Sequence, residues 1–227
     1  MTHRVRPPTR ERILEAALGL LNACGEGGVT IAGIADAVQI SQGNLHYHFR
    51  TRTAIVEALL TRFEQAMDEL IGGEVPARVT IDDAWLFLRL LIDTVDRHRF
   101  LIRDLEPIGQ RAPRLARRVR RLLVRQADTL RSLCSALAAN ASGPADPALI
   151  GSIARAMALG VIFSTSYERW VGMRGIEGAG SAAEEIADCA ASTLALAAPL
   201  LDRKGRAALR RIQPERTPTD PPRRSRT

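Results

Sequence analysis

The stretch TIAGIADAVQISQGNLHYHF, from Thr30 to Phe49, decides the fold. Two hydroxyl residues, Thr30 and Ser41, stand where helix N-caps stand, each ahead of an apolar set at helical spacing. After Thr30 the set is Ile31, Ile34, Ala35 and Val38; after Ser41 it is Leu45 and Phe49. Only Gln39 and Ile40 lie between Val38 and the second cap. Two short helices on so short a turn outline a helix-turn-helix unit.

At about 100° per residue, Leu45 and Phe49 define the buried side of the second helix. Gly43 and Tyr47 then face outward, Asn44 and His46 flank them, Gln42 lies in the first turn, and His48 falls nearer the buried edge. A metal site fits this face poorly. His46 and His48 are two apart, whereas helical ligand pairs stand three or four apart, and no cysteine or carboxylate completes a set. No metal ligand is therefore assigned. Catalysis has no footing either: the chain has no GxSxG, no P-loop and no acidic residue placed to orient either histidine, so neither catalytic residues nor a cofactor are expected.

An ordinary solvated surface would carry Lys, Glu and Arg, and there are none from Ser41 to Phe49. A surface that meets DNA explains the composition better. Gly43 lets backbone approach phosphate, Tyr47 offers a hydroxyl to it, and the amides of Gln42 and Asn44 can read base edges. Arg50 and Arg52 follow and add charge.

The stretch from Thr30 to Leu60 resembles the DNA-binding signature of the TetR family of bacterial transcriptional regulators. The resemblance takes in the preceding helix as well, about the first quarter of the chain. It implies that Thr30 starts the supporting helix and meets phosphate. Ser41 to His48 would form the recognition helix, with Tyr47 and His48 near the backbone and Gln42, Gly43 and Asn44 near bases. Arg52 stands where the family usually has a phosphate-touching lysine. Three departures are visible. His46 replaces a common tyrosine, Gln39 takes the place of the usual turn glycine, and Gly33 weakens the supporting helix.

Outward from this unit the periodicity is helical nearly everywhere, so the expected fold is all-α. Thr9 opens a helix carrying Ile13, Leu14, Ala17, Leu18 and Leu21, which stops at Gly25 before a GEGGV loop. A helix from about 51–53 to Ile71 follows the motif, and others are expected at about 82–96, 98–108, 113–140, 146–171 and 181–201. The domains read as 1–52 for DNA binding, 53–201 for a helical regulatory and dimerisation bundle, and 202–227 for a basic tail without a core. From Arg203 onward that tail carries nine positive against two negative residues, the whole of the +7 net charge, so the high pI says little about the folded body.

No window approaches the ~20 apolar residues of a membrane span, and Met1 to Arg12 does not read as a signal peptide. Cys24, Cys134 and Cys189 are far apart and odd in number, as reduced thiols would be. In the second domain Trp85, Phe100, Phe163, Tyr167 and Trp170 are candidates for a ligand pocket, the last three at i, i+4 and i+7. Ala156 and Gly160, with Ala183, Ala187, Ala190 and Ala197, permit close helix approach in a core or a dimer. The Gly-rich 172–180 reads as a flexible connector. The resemblance implies a homodimeric cytoplasmic repressor at the bacterial nucleoid. It would bind a near-palindromic double-stranded operator and release it on binding an apolar or amphipathic small molecule. A regulator without an effector is the alternative, and a helical enzyme is disfavoured because no pair of titratable groups suggests one.

Overall fold

A computed structural model describes residues 7–140, 145–170 and 181–212, and the side chains of 168–170 are not among those described. All regular structure in these residues is helical. The chain runs through α1 (Thr9–Gly28), α2 (Ile31–Val38), α3 (Gln42–His48), α4 (Arg52–Ile71), α5 (Ile81–Arg97), α6 (Phe100–Arg103) and α7 (Leu105–Arg111). It continues through α8 (Pro113–Ala138), α9 (Pro147–Trp170), α10 (Ala182–Ala195), a 3-10 turn (Ala198–Leu200) and α11 (Arg203–Ile212).

The first three helices close on a small core of Ile13, Leu14, Leu21, Ile34, Leu45 and Phe49. Both ends of that unit are tied to the body. Gly25 adopts φ 81°, a left-handed value that suits glycine, and the chain continues in helical turns to Gly28. The first run of helix therefore stops at Gly25, as the sequence suggested, and beyond this kink a further helical turn follows where a loop was expected. Carbonyls left open near the kink are taken up from the second domain: Arg103 donates to Leu21 O at 2.7 Å and to Asn22 O at 2.9 Å. The Asn22 amide donates to Arg97 O and accepts from the Phe100 N–H.

In the body, α8 packs on α9, α5 on α10, and α4 on both α5 and α8. The register of α4 against α8 is marked by Arg118, which forks onto Glu64 and reaches Thr61 and Glu57, and by Arg125 with Asp68 at 2.6 Å. The hydrogen bonds that Arg118 donates to Glu64 hold its guanidinium above its ordinary pKa.

Two expectations are corrected here. The stretch Pro147–Tyr167 is 21 residues long with a mean hydropathy of 1.6, enough by length and composition for a membrane span. Its apolar character has another use, because α9 is gripped by α8, α10 and α5, with Ile153, Ala154, Met157 and Val161 buried. The basic segment after residue 202 is not coreless throughout. Residues 203–212 form α11, which lays Leu209 onto the body against α5 and α10. Removing residues from 203 onward would strip that cover. Residues 213–227 and the Gly-rich 172–180 lie outside the described set.

Gln126 is fully buried in the apolar stripe of α8, and neither amide atom has a hydrogen-bond partner among the described residues. Gln126→Met keeps the shape and removes both orphaned groups. It is expected to stabilise the chain by about 1–2 kcal/mol in urea denaturation. A loss of stability would mean that the amide is satisfied by buried water.

His98 caps α5, tilts against Phe63 with centroids 5.2 Å apart, and places Nδ1 3.1 Å from Thr94 O. Burial pushes its pKa below 6.5; the Thr94 hydrogen bond and Glu15 oppose this, while Arg97 and Arg62 add to it. The unfolded chain therefore takes up this proton first. The contribution is fully present above about pH 6.5 and is lost as pH falls through the lower folded value. Thermal melts should decline over that window, and His98→Phe should flatten the decline. An unchanged slope in His98→Phe would assign the effect to other groups.

Candidate nucleic-acid interface

The helix-turn-helix is set by three successive hydroxyl caps. Thr30 Oγ1 accepts from the Gly33 N–H at 3.0 Å, Ser41 Oγ from Asn44 at 3.1 Å, and Thr51 Oγ1 from Ala54 at 3.1 Å. Gly33 has a local reason, since a Cβ there would come within 3.3 Å of the Thr30 hydroxyl. Between α2 and α3, Gln39 sits at φ 57°, ψ 53°, the left-handed conformation usually given to glycine. It is held there by paired bonds from its own N–H to Asp36 O and from the Ile40 N–H to Ala35 O. Arg12 donates to Val38 O at 2.7 Å, and Arg10 lies over the Phe49 ring at 4.9 Å.

The face of α3 matches the helical reading. Leu45 and Phe49 are buried, while Ser41, Gln42, Gly43, Asn44 and His46 are exposed, and Tyr47 is 86% exposed. His48 is half-buried, edge-on to the Tyr47 ring at 5.3 Å. The exposed tip thus combines two amides, an imidazole, a phenol and open backbone at Gly43. No carboxylate lies between Ser41 and Phe49 to repel phosphate.

Arg52, at the start of α4, is engaged within the chain. Its guanidinium donates to Val29 O at 2.7 Å and pairs with Glu26 Oε1 at 2.7 Å. Glu26 is buried, its second oxygen takes Arg111 of α7, and its N–H donates to Asp104 at 2.7 Å. This cluster joins α1, the start of α4 and the second domain. Its members are far apart in the chain, and no local pattern announced it.

The four aromatic candidates whose side chains are described do not converge. Phe100 is 0% exposed in the core, and Trp85 is half-buried on α5 beneath Arg89. Phe163 and Tyr167 are 47% and 58% exposed and line an open groove between α9 and α10 with Leu159 and Leu196. The Trp170 side chain lies outside the described residues. Three of the small residues serve the chain's own packing: a Cβ on Gly160 would strike Thr193 Oγ1 at 2.8 Å, and Ala190 and Ala197 are fully buried, whereas Ala183 is exposed.

Comparison with known proteins agrees with this architecture. Residues 13–59 match the family described as "Bacterial regulatory proteins, tetR family", and residues 62–209 match the TetR family described as "Bacterial transcriptional repressor". Over 65 residues the chain is 39% identical to the nucleoid occlusion factor SlmA of Actinobacillus pleuropneumoniae and 36% identical to that of Haemophilus ducreyi. Those matches span 28% of this chain and 32% of each relative. The crystal structure of a TetR-family transcriptional regulator from Marinobacter aquaeolei superposes with a TM-score of 0.77 at 25% identity, covering 92% of this chain and all of that one. The matched families together span the recognition unit and the helical body, so this chain belongs to the TetR family of bacterial transcriptional regulators, DNA-binding proteins with a helix-turn-helix at the N-terminus.

Proposed function

We propose that the chain is a homodimeric repressor acting in the bacterial cytoplasm on nucleoid DNA, released from a near-palindromic operator by a small molecule. The observation that supports it most is the division of α3 into a buried apolar edge and an exposed, carboxylate-free polar face. One seven-residue helix covers too few bases for selectivity. Two copies must therefore lie about one DNA turn apart, ~34–36 Å, or a multiple of it.

In this reading Thr30, Tyr47 and His48 meet the phosphate backbone, and Gln42, Gly43 and Asn44 face base edges, with His46 beside them. Arg52 also holds α4 against the α1 kink through Glu26, beside its reading as a phosphate contact. The groove lined by Leu159, Phe163, Tyr167 and Leu196 supplies the contact with a second copy.

Tyr47→Phe is expected to weaken binding to all DNA sequences alike, because phosphate contacts position without reading bases. Gln42→Ala and Asn44→Ala should relax preference at particular positions, by about 1–3 kcal/mol for each lost bidentate pair. Competition binding over a panel of altered operators separates the two outcomes. A sequence-selective loss from Tyr47→Phe would overturn the assignment.

A further inference from the structure

A cavity of about 580 Å³ lies at the end of the body remote from α3, within the range of small-molecule sites. Its apolar floor includes Val79, Leu137 and Leu201, all buried. Its rim carries Arg78 from the connector between α4 and α5, and Lys204 and Arg211 from α11. All three cations are exposed, and none has an ion-pair partner among the described residues. Two carboxylates also line the cavity. Asp202 is engaged in capping α11, accepting from the Gly205 N–H at 2.6 Å, and Asp82 lies in the first turn of α5. A second cavity of about 260 Å³ shares Arg78 and Val79 and extends towards Leu70, Phe87 and Leu133.

We propose that this cavity binds an amphipathic carboxylate. Its hydrocarbon chain would lie against Val79, Leu137 and Leu201, and its head group among Arg78, Lys204 and Arg211. An apolar floor favours a chain over a small hydrated anion. Three rim cations without an ion-pair partner among the described residues favour a negative head over a neutral or positive one. This places the effector at a different position from the aromatic set read in the sequence, and it gives the ligand a charge.

The site also has a route to the recognition unit, and that step rests on the repressor reading. The connector that supplies Arg78 and Val79 follows directly from α4, whose other end is anchored through Arg52 and Glu26. A 20-residue helix is ~30 Å long, so a tilt of ~5° moves its far end by ~2.5 Å. A ligand that prefers one position of the connector therefore biases the spacing of the two α3 helices.

Calorimetric titration of the full chain tests the site, with decanoate as probe and acetate and decyltrimethylammonium as comparators. The expected result is saturable binding of one decanoate per chain, about tenfold or more weaker binding of the cationic analogue, and none of acetate. The double variant Lys204→Glu/Arg211→Glu should weaken decanoate binding by about tenfold or more with an unchanged far-UV spectrum. If that variant does not fold, Arg78→Glu in the connector between α4 and α5 should give the same loss. No saturable decanoate binding, equal binding of the cationic analogue, or variants that bind like the wild type would each overturn the site. DNA fragments retained by the purified protein test the coupling separately. Binding of decanoate without release removes the effector reading and leaves the site standing, whereas release that ignores Lys204, Arg211 and Arg78 overturns the site.

Discussion

Replacing Phe163 by glutamate is expected to convert the proposed dimer to a monomer and to lower operator affinity by about a thousandfold, towards non-specific levels. Phe163 is nearly half exposed in the single chain, in the middle of a groove with Leu159, Tyr167 and Leu196. Exposed apolar side chains gathered on one face mark an interaction surface. A carboxylate buried there without a partner would be strongly unfavourable in the dimer and nearly neutral in the monomer. Circular dichroism should be unchanged, because α9 keeps its buried edge of Ile153, Met157 and Val161. Light scattering at micromolar concentration reads the mass. A Phe163→Glu chain that stays dimeric would move the interface elsewhere. Ala190 is a poor place for the same test. It is fully buried within the chain, so a larger residue there disturbs the fold before any partner is met.

Phe63→Ala is expected to lower stability by about 3–5 kcal/mol. Phe63 is among the largest fully buried side chains, lies mid-way along α4, and faces the ring of His98. Removing it leaves a cavity where α4 meets the end of α5, beside the Asn22 and Arg103 contacts that hold α1. Urea denaturation should show a lower midpoint with little change in slope. Operator binding should also weaken, since α4 supports the recognition unit. A loss below ~1 kcal/mol would show that neighbouring side chains collapse into the space.

The recognition unit was legible because its determinants are local. The caps at Thr30, Ser41 and Thr51 each act over three residues, and the burial of Leu45 and Phe49 follows from helical period alone. Other features depend on contacts that period does not encode. Phe163 and Tyr167 share a face by spacing, but spacing does not say whether that face turns inward or out. Glu26 sits among glycines and reads as loop, while its partners Arg52 and Arg111 come from distant segments. The helix α11 is dominated by charge and attaches through Leu209, too little apolar pattern to separate it from a solvated tail. Gln39 is the converse case: its residue type argues against the turn, and the surrounding bonds impose it.

The position of α11 bears on how the protein would behave on an ion-exchange or heparin column. The helix rests at the Ile81 end of α5, whereas the recognition unit is fastened at the Arg97 end, about 25 Å away along a 17-residue helix. Arg203, Lys204, Arg206, Arg210 and Arg211 therefore lie far from α3, whose own exposed face carries no Lys or Arg. Retention on heparin would therefore draw on cations at the distal end of the molecule as well as on those beside α3, such as Arg10 and Arg50, and would be a poor measure of operator recognition. Because the cations of α11 lie away from α3, the counterions they hold are not displaced at the operator, and specific binding should lose less affinity with added salt than the pI of 10.5 suggests.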